Sequence, residues 1–154
     1  MAVILSGLLI TGCKSTCPSG KCSASQATSS AVVSEAKVGT LTVNALETLL
    51  NSGTKVAVFD ARSAKYDDGR RIPGAKSLTD KASAAEVAKH IPSKNQLVVT
   101  YCANPQCPAS DRLAKHLLSL GYTNIVELPA GIQGWGNAGK PVETAAIGIL
   151  VPSS

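Results

Sequence analysis

Leu97-Val98-Val99-Thr100-Tyr101-Cys102-Ala103-Asn104-Pro105-Gln106-Cys107-Pro108 runs from an apolar stretch straight into a reactive side chain. Leu97 to Tyr101 is short, β-branched and aromatic, which predicts a buried strand. Beyond the prolines, Ser110 to Leu120 has helical spacing. Leu113, Ala114, Leu117, Leu118 and Leu120 share one face, and Asp111, Arg112, Lys115, His116 and Ser119 the other; Gly121 sits at the expected C-cap. A cysteine between a strand end and a helix start occupies the place where open α/β sheets bind ligands. The helix aims free N–H groups and its positive dipole end at that point, which favours a thiolate over the free thiol of pKa about 8.5. Such a thiolate can attack a sulfur donor, hold the sulfur as a persulfide and pass it on. The competing reading is an inert cysteine, because free Cys is among the most buried residue types.

Upstream, Asn44 with Glu47 reads as a capping box, followed by the apolar face Leu46, Leu49 and Leu50 and a stop at Gly53. Val56-Ala57-Val58-Phe59 predicts a second buried strand, ending at Asp60. The polar stretch with Gly69, Pro73 and Gly74 reads as loop, and Ser83-Ala84-Ala85-Glu86 opens a short helix that closes with Lys89 and His90. Downstream, Ile125 to Leu128 predicts another strand, and a Gly-rich turn follows around Trp135, whose indole is expected in packing. Strands alternating with helices at this spacing imply an α/β layer structure with a mostly parallel sheet. Asp60 and Arg62 either orient the active loop from beneath or form a structural pair at the strand end; the pair is the simpler reading. His90 and His116 have no second ligand at metal spacing. A zinc site from the two Cys-x4-Cys pairs is disfavoured by that spacing, so neither metal nor cofactor is expected.

With 154 residues, 44% of them hydrophobic and 16% charged, the chain has room for one domain with a real core, and disorder is not the default for the whole chain. Aromatic residues are only 3%, too few for the stacking platforms of single-stranded nucleic-acid binders. The net charge of +5 is spread among interleaved acidic and basic residues, which fits mild steering of small anions or anionic lipid and no nucleic-acid partner.

Residues 1–12 are uncharged and apolar, too short to span a bilayer, and read as the core of a signal peptide. Leu9-Ile10-Thr11-Gly12-Cys13 resembles the bacterial lipobox, in which the cysteine is acylated. The basic residues that usually precede such a stretch are missing, consistent with a start upstream of Met1. Residues 13–38 are rich in Ser, Ala and Thr and read as a flexible tether, with a local Cys17–Cys22 disulfide as one option. The folded domain is expected over 39–144, followed by a tail over 145–154. Five cysteines leave four after lipidation at Cys13, which suits an oxidising compartment. The expected location is the bacterial cell envelope, lipid-anchored and facing the periplasm or the exterior.

Several stretches together carry a family resemblance. Val58-Phe59-Asp60-Ala61-Arg62 is similar to a strand ending in Asp-x-Arg. The segment Tyr66 to Ala75, with its Arg71-Ile72-Pro73-Gly74-Ala75, resembles a Gly-His-Ile-Pro-Gly-Ala element. Leu120-Gly121-Tyr122, Gly131-Ile132-Gln133-Gly134-Trp135 and Gly139-Lys140-Pro141-Val142 resemble a closing segment. In order and spacing they resemble the rhodanese homology domain, the single-domain sulfurtransferase type. The resemblance implies a three-layer α/β sandwich with a five-stranded, mostly parallel central sheet and helices on both faces. It also implies Cys102 as persulfide carrier and residues 103–108 (Ala103, Asn104, Pro105, Gln106, Cys107 and Pro108) as the active loop. The implied partners are a small sulfur-containing anion or persulfide donor and a thiol acceptor.

The loop departs from the family's usual Cys-x-x-Gly-x-Arg. Pro105 stands for the glycine, and neither it nor Pro108 donates an N–H, so an anion cradle has fewer donors and no cation of its own. This weighs against thiosulfate:cyanide transfer more than against persulfide chemistry. Arg71, standing for the family's His, offers a positive charge to the pocket instead. Cysteine phosphatases of this architecture need an Arg six positions after the nucleophile; position 108 is Pro. Cys107 is either a resolving thiol for a Cys102 persulfide or sulfenic acid, or a small structural hydrophobe. The leading expectation is a sulfurtransferase. The rivals are a thiol-disulfide or peroxide-responsive protein using Cys102 with Cys107, and a non-catalytic rhodanese module that binds a partner.

Overall fold

Alternation along the two central strands divides the core into two layers. In the computed structural model, which describes residues 38–144, β2 (Val56–Asp60) and β5 (Leu97–Tyr101) pair in parallel from Val56 opposite Leu97 to Asp60 opposite Tyr101. Phe59 and Val98 point to one face, where they pack with Val87 of α2 (Ala84–His90), its C-cap Ile91, and Leu113, Ala114 and Leu117 of α3 (Ala109–Ser119). Val58, Val99 and Tyr101 point to the other, against Leu46 of α1 (Val43–Asn51) and Ile132 and Trp135 of α4 (Gly131–Asn137). Both faces are covered, so the strands read as continuous apolar runs. The main sheet is parallel throughout. With β1 (Gly39–Thr40), β4 (Lys76–Ser77) and β6 (Ile125–Leu128), its order is β1-β6-β5-β2-β4. The expected three-layer α/β fold with a five-stranded sheet is the observed one. Strand β5 lies at its centre, and Cys102 follows directly at its carboxyl end.

Three local expectations need correction. Helix α1 is capped by Thr42 and not by Asn44. Thr42 is extended, and its hydroxyl accepts the Ala45 N–H at 3.2 Å, so Asn44 is already inside the first turn. Glu47 turns to Lys140 instead, 2.5 Å away. The Gly-rich segment around Trp135 is helix α4 and not a turn: the buried Ile132 and Trp135 hold it against the sheet despite poor intrinsic propensity. Trp135 donates its indole N–H to the Pro141 carbonyl at 2.7 Å. Finally, the polar stretch after Asp60 is not all loop. It holds β4, and also β3 (Arg70–Arg71), which pairs antiparallel with β7 (Glu143–Thr144). The Ser83 cap is as expected, with its hydroxyl accepting the Glu86 N–H at 3.2 Å.

Among the described residues no helix is long and apolar enough to cross a membrane. The signal segment 1–12, Cys13, the tether with Cys17 and Cys22, and the tail 145–154 lie outside the described residues, save Val38.

Candidate active site

The loop after β5 is shaped by Asn104. Its side-chain oxygen accepts the Gln106 N–H at 3.1 Å, and its carbonyl accepts the Cys107 N–H at 3.1 Å. This Asx-type turn folds the chain back on itself. It brings the Cα atoms of Cys102 and Cys107 to 6.1 Å, inside the ~4.4–6.8 Å range of disulfides, and the two sulfurs are bonded. Cys107 is therefore the bonded partner of Cys102. The same turn uses two N–H groups that an anion cradle would need, while Pro105 and Pro108 supply none. Pro108 is the N-cap of α3 and offers no side-chain cap, so the helix end next to the disulfide is not blocked by a capping side chain.

The first half of the loop is fixed from the opposite layer. Ile132 and Gln133, in the first turn of α4, donate their N–H groups to the carbonyls of Cys102 and Ala103 at 2.9 and 3.0 Å. The approach is close enough to demand glycine at 131. Its φ is +60°, and a Cβ there would lie 2.5 Å from the Cys102 carbonyl oxygen. Sequence reasoning placed Gly131 in a closing segment but did not see that it locks the active loop; only the packing of α4 reveals it.

Asp60 and Arg62 are buried together at the end of β2. The Arg62 guanidinium holds both Asp60 oxygens at 2.8–3.1 Å, the Asp68 carboxylate at 2.8 Å and the Arg70 carbonyl at 2.6 Å. This fastens the segment 66–70 to the strand. Burial opposes the Arg62 charge, but the Asp60 and Asp68 hydrogen bonds outweigh it and hold the guanidinium protonated well above its usual range. For Asp68, partial burial is likewise outweighed by hydrogen bonds from Arg62 and Arg70, which keep its carboxyl well below the usual range. Tyr101, buried behind this pair, accepts the Ile72 N–H at 3.3 Å; burial, then the Asp60 charge, pushes its hydroxyl above the ordinary tyrosine range.

Arg71 is not where the sequence suggested. Its guanidinium is held by Asp67 and lies 3.9 Å from Asp60, and it lines neither of the clefts beside Cys102. The β3–β7 pairing turns it into the carboxylate cluster. Cationic groups reach the cleft from elsewhere. A cleft of about 590 Å³ opens over the disulfide, walled by Ala61, Ala103, Pro108 and Ala109, with Lys81 and Arg112 contributing charge. Arg112 is shared with Asp80 at 2.9 Å, whereas Lys81 is exposed and in none of the ion pairs among the described residues. Neither was singled out from sequence. Arg112 had been assigned only to the polar face of its helix, and Lys81 reaches the cleft through topology alone. A second cleft of about 600 Å³, floored by Ile132 and Gln133, shares Arg62, Tyr66, Ala103 and Asn104 with the first.

Known proteins share this fold. The model of the rhodanese-like domain matches residues 42–138. No curated protein sequence matches the chain. Among solved structures, the BH2092 protein of Bacillus halodurans superposes with a TM-score of 0.62 at 27% identity, over 69% of this chain and 77% of that one. A thiosulfate sulfurtransferase from Pseudomonas aeruginosa gives a TM-score of 0.54 at 25% identity, over 70% of this chain but only 20% of that protein. The rhodanese-like domain of the Anabaena Alr3790 protein gives 0.59 at 21% identity, over 77% of this chain and 87% of that domain, a likeness of fold. The family model spans most of the chain, including both strands and the loop that frame Cys102, and the chain belongs to the rhodanese-like domain family.

Proposed function

We propose that this domain moves sulfane sulfur, with Cys102 as carrier and Cys107 as its resolving partner. The observation that carries the reading is the Cys102–Cys107 bond at the floor of a cleft, at the carboxyl end of the central strand of a rhodanese-like fold. In the reduced pair, the Cys102 thiolate attacks the outer sulfur of a persulfide donor; the donor's thiolate leaves and Cys102 keeps the sulfur as a persulfide. An acceptor thiol then removes the outer sulfur. Alternatively, the Cys107 thiolate attacks Cys102 Sγ, forms the disulfide and expels hydrosulfide. The loop's spent N–H groups argue for an organic persulfide or polysulfide over thiosulfate as donor. The same bond favours a second reading, thiol-disulfide exchange without sulfur transfer. The lipobox-like Cys13 supports tethering in a bacterial cell envelope, where such disulfides persist.

Intact mass of the reduced Cys107→Ser protein before and after polysulfide tests the proposal. A gain of about 32 Da that maps to Cys102 and is removed by reductant is expected. If Cys102 gains no sulfur while the wild-type chain still closes its disulfide, the exchange reading replaces it.

A further inference from the structure

The two sulfurs of the disulfide are not equally open to attack. Cys102 is 2% exposed, its carbonyl held at the strand end by the Ile132 N–H. Cys107 is half-buried, on the outer limb of the loop between the exposed Gln106 and Pro108. A thiolate displaces sulfur from sulfur only by reaching the attacked atom along the line of the S–S bond, so access decides which sulfur is hit. We propose that Cys107 is the point of attack for the external thiol that reopens the pair, and that Cys102 is always the leaving thiolate. This inference rests on the disulfide-forming part of the functional proposal, though not on whether Cys102 carries sulfur.

The step balances without further reactants. The external thiolate bonds to Cys107 Sγ, the Cys102–Cys107 bond breaks, and its electron pair goes to Cys102 as a thiolate. A second external thiolate then attacks the outer sulfur of the mixed disulfide, releasing Cys107 and carrying both oxidised thiols away as a disulfide. Cys107 directly precedes Pro108, the N-cap of the eleven-residue helix α3, which offers no side-chain cap, so the bonded sulfur pair lies near a helix end whose dipole stabilises the thiolate that reduction releases. The cleft that Cys102 and Cys107 both line is walled largely by small apolar groups, with Lys81 in no ion pair among the described residues, which suits an uncharged or carboxylate-bearing thiol. Reduction therefore delivers the carrier directly as its nucleophilic form, with no proton transfer needed before the next donor binds. The order is opposite to one in which the first cysteine of a pair is the exposed one.

The test uses the full chain in its oxidised form. Non-reducing peptide mass mapping first establishes the Cys102–Cys107 disulfide; free thiols at both positions would remove the reading on which the inference stands. The protein is then pulsed briefly with glutathione, quenched with excess N-ethylmaleimide and mapped by peptide mass. Glutathione on Cys107 with maleimide on Cys102 is expected, in excess of about ten to one over the reverse pattern. Glutathione predominantly on Cys102, equal amounts on both, or reduction that passes through no mixed disulfide at Cys107 would overturn the assignment.

Discussion

The two loops that wall the cleft are held by different kinds of contact. The segment after β2 is fastened by charge: Arg62 grips Asp60, Asp68 and the Arg70 carbonyl, and Arg71 is held by Asp67. The segment after β5 has no ion pair of its own; two backbone hydrogen bonds from α4 fix its first half, and a turn at Asn104 and one disulfide fix its second. Charged contacts of the first kind persist at any redox state, so that loop is scaffold. A disulfide can be made and broken by the chemistry itself, so the second loop is where reactivity belongs.

The largest expected effect separates the two directly. Cys102→Ser should abolish labelling by persulfide donors while leaving thermal unfolding close to that of the reduced wild type; retained labelling on Cys107 would break the contrast. Next, Arg62→Ala leaves Asp60 buried without its partner and should cost about 3–5 kcal/mol in denaturant unfolding. A loss under about 1 kcal/mol would mean that the charged loop is not scaffold. Gly131→Ala puts a Cβ against the Cys102 carbonyl in a left-handed conformation, and should destabilise by about 1–3 kcal/mol. It should also change the rate of Cys102 alkylation in the reduced protein. Unchanged alkylation would show that α4 does not set the loop.

The smallest effect is a pH dependence confined to the charged loop. The Asp68 carboxyl is held below its ordinary value by Arg62 and Arg70, so its contribution is complete above about pH 4 and declines as the pH falls toward the lowered value. Asp68 is 42% exposed, so solvent screens the effect. Asp68→Asn should therefore flatten the acid limb of the stability profile slightly and leave disulfide reduction rates alone. An unchanged acid limb would assign the low-pH loss to other groups.

Most of the scaffold was legible because burial on both faces writes itself as short apolar runs: Val56–Phe59, Leu97–Tyr101 and Ile125–Leu128 are strands, and the Leu113/Leu117 face is buried. The position of Cys102 between strand and helix was readable for the same reason. The two-residue strands β1, β3, β4 and β7 left no periodicity to read, being too short for an alternating pattern. The residues that complete the site were illegible because long-range packing brings them there: Lys81 to the cleft from the β4–α2 connection, Arg112 from a helix face, and Gly131 of α4 to the backbone of the active loop. Arg71 misled because its neighbours in sequence do not reveal that β3 turns it toward Asp67.

The central claim, that Cys102 carries sulfur and Cys107 resolves it, is tested most directly by counting hydrosulfide. The reduced wild-type chain is given one equivalent of an alkyl persulfide, and hydrosulfide is measured against disulfide formed. One hydrosulfide per Cys102–Cys107 bond, with none from the Cys107→Ser variant, which instead retains the sulfur on Cys102, is the predicted result. Disulfide formation without hydrosulfide, or equal hydrosulfide from both proteins, would contradict it.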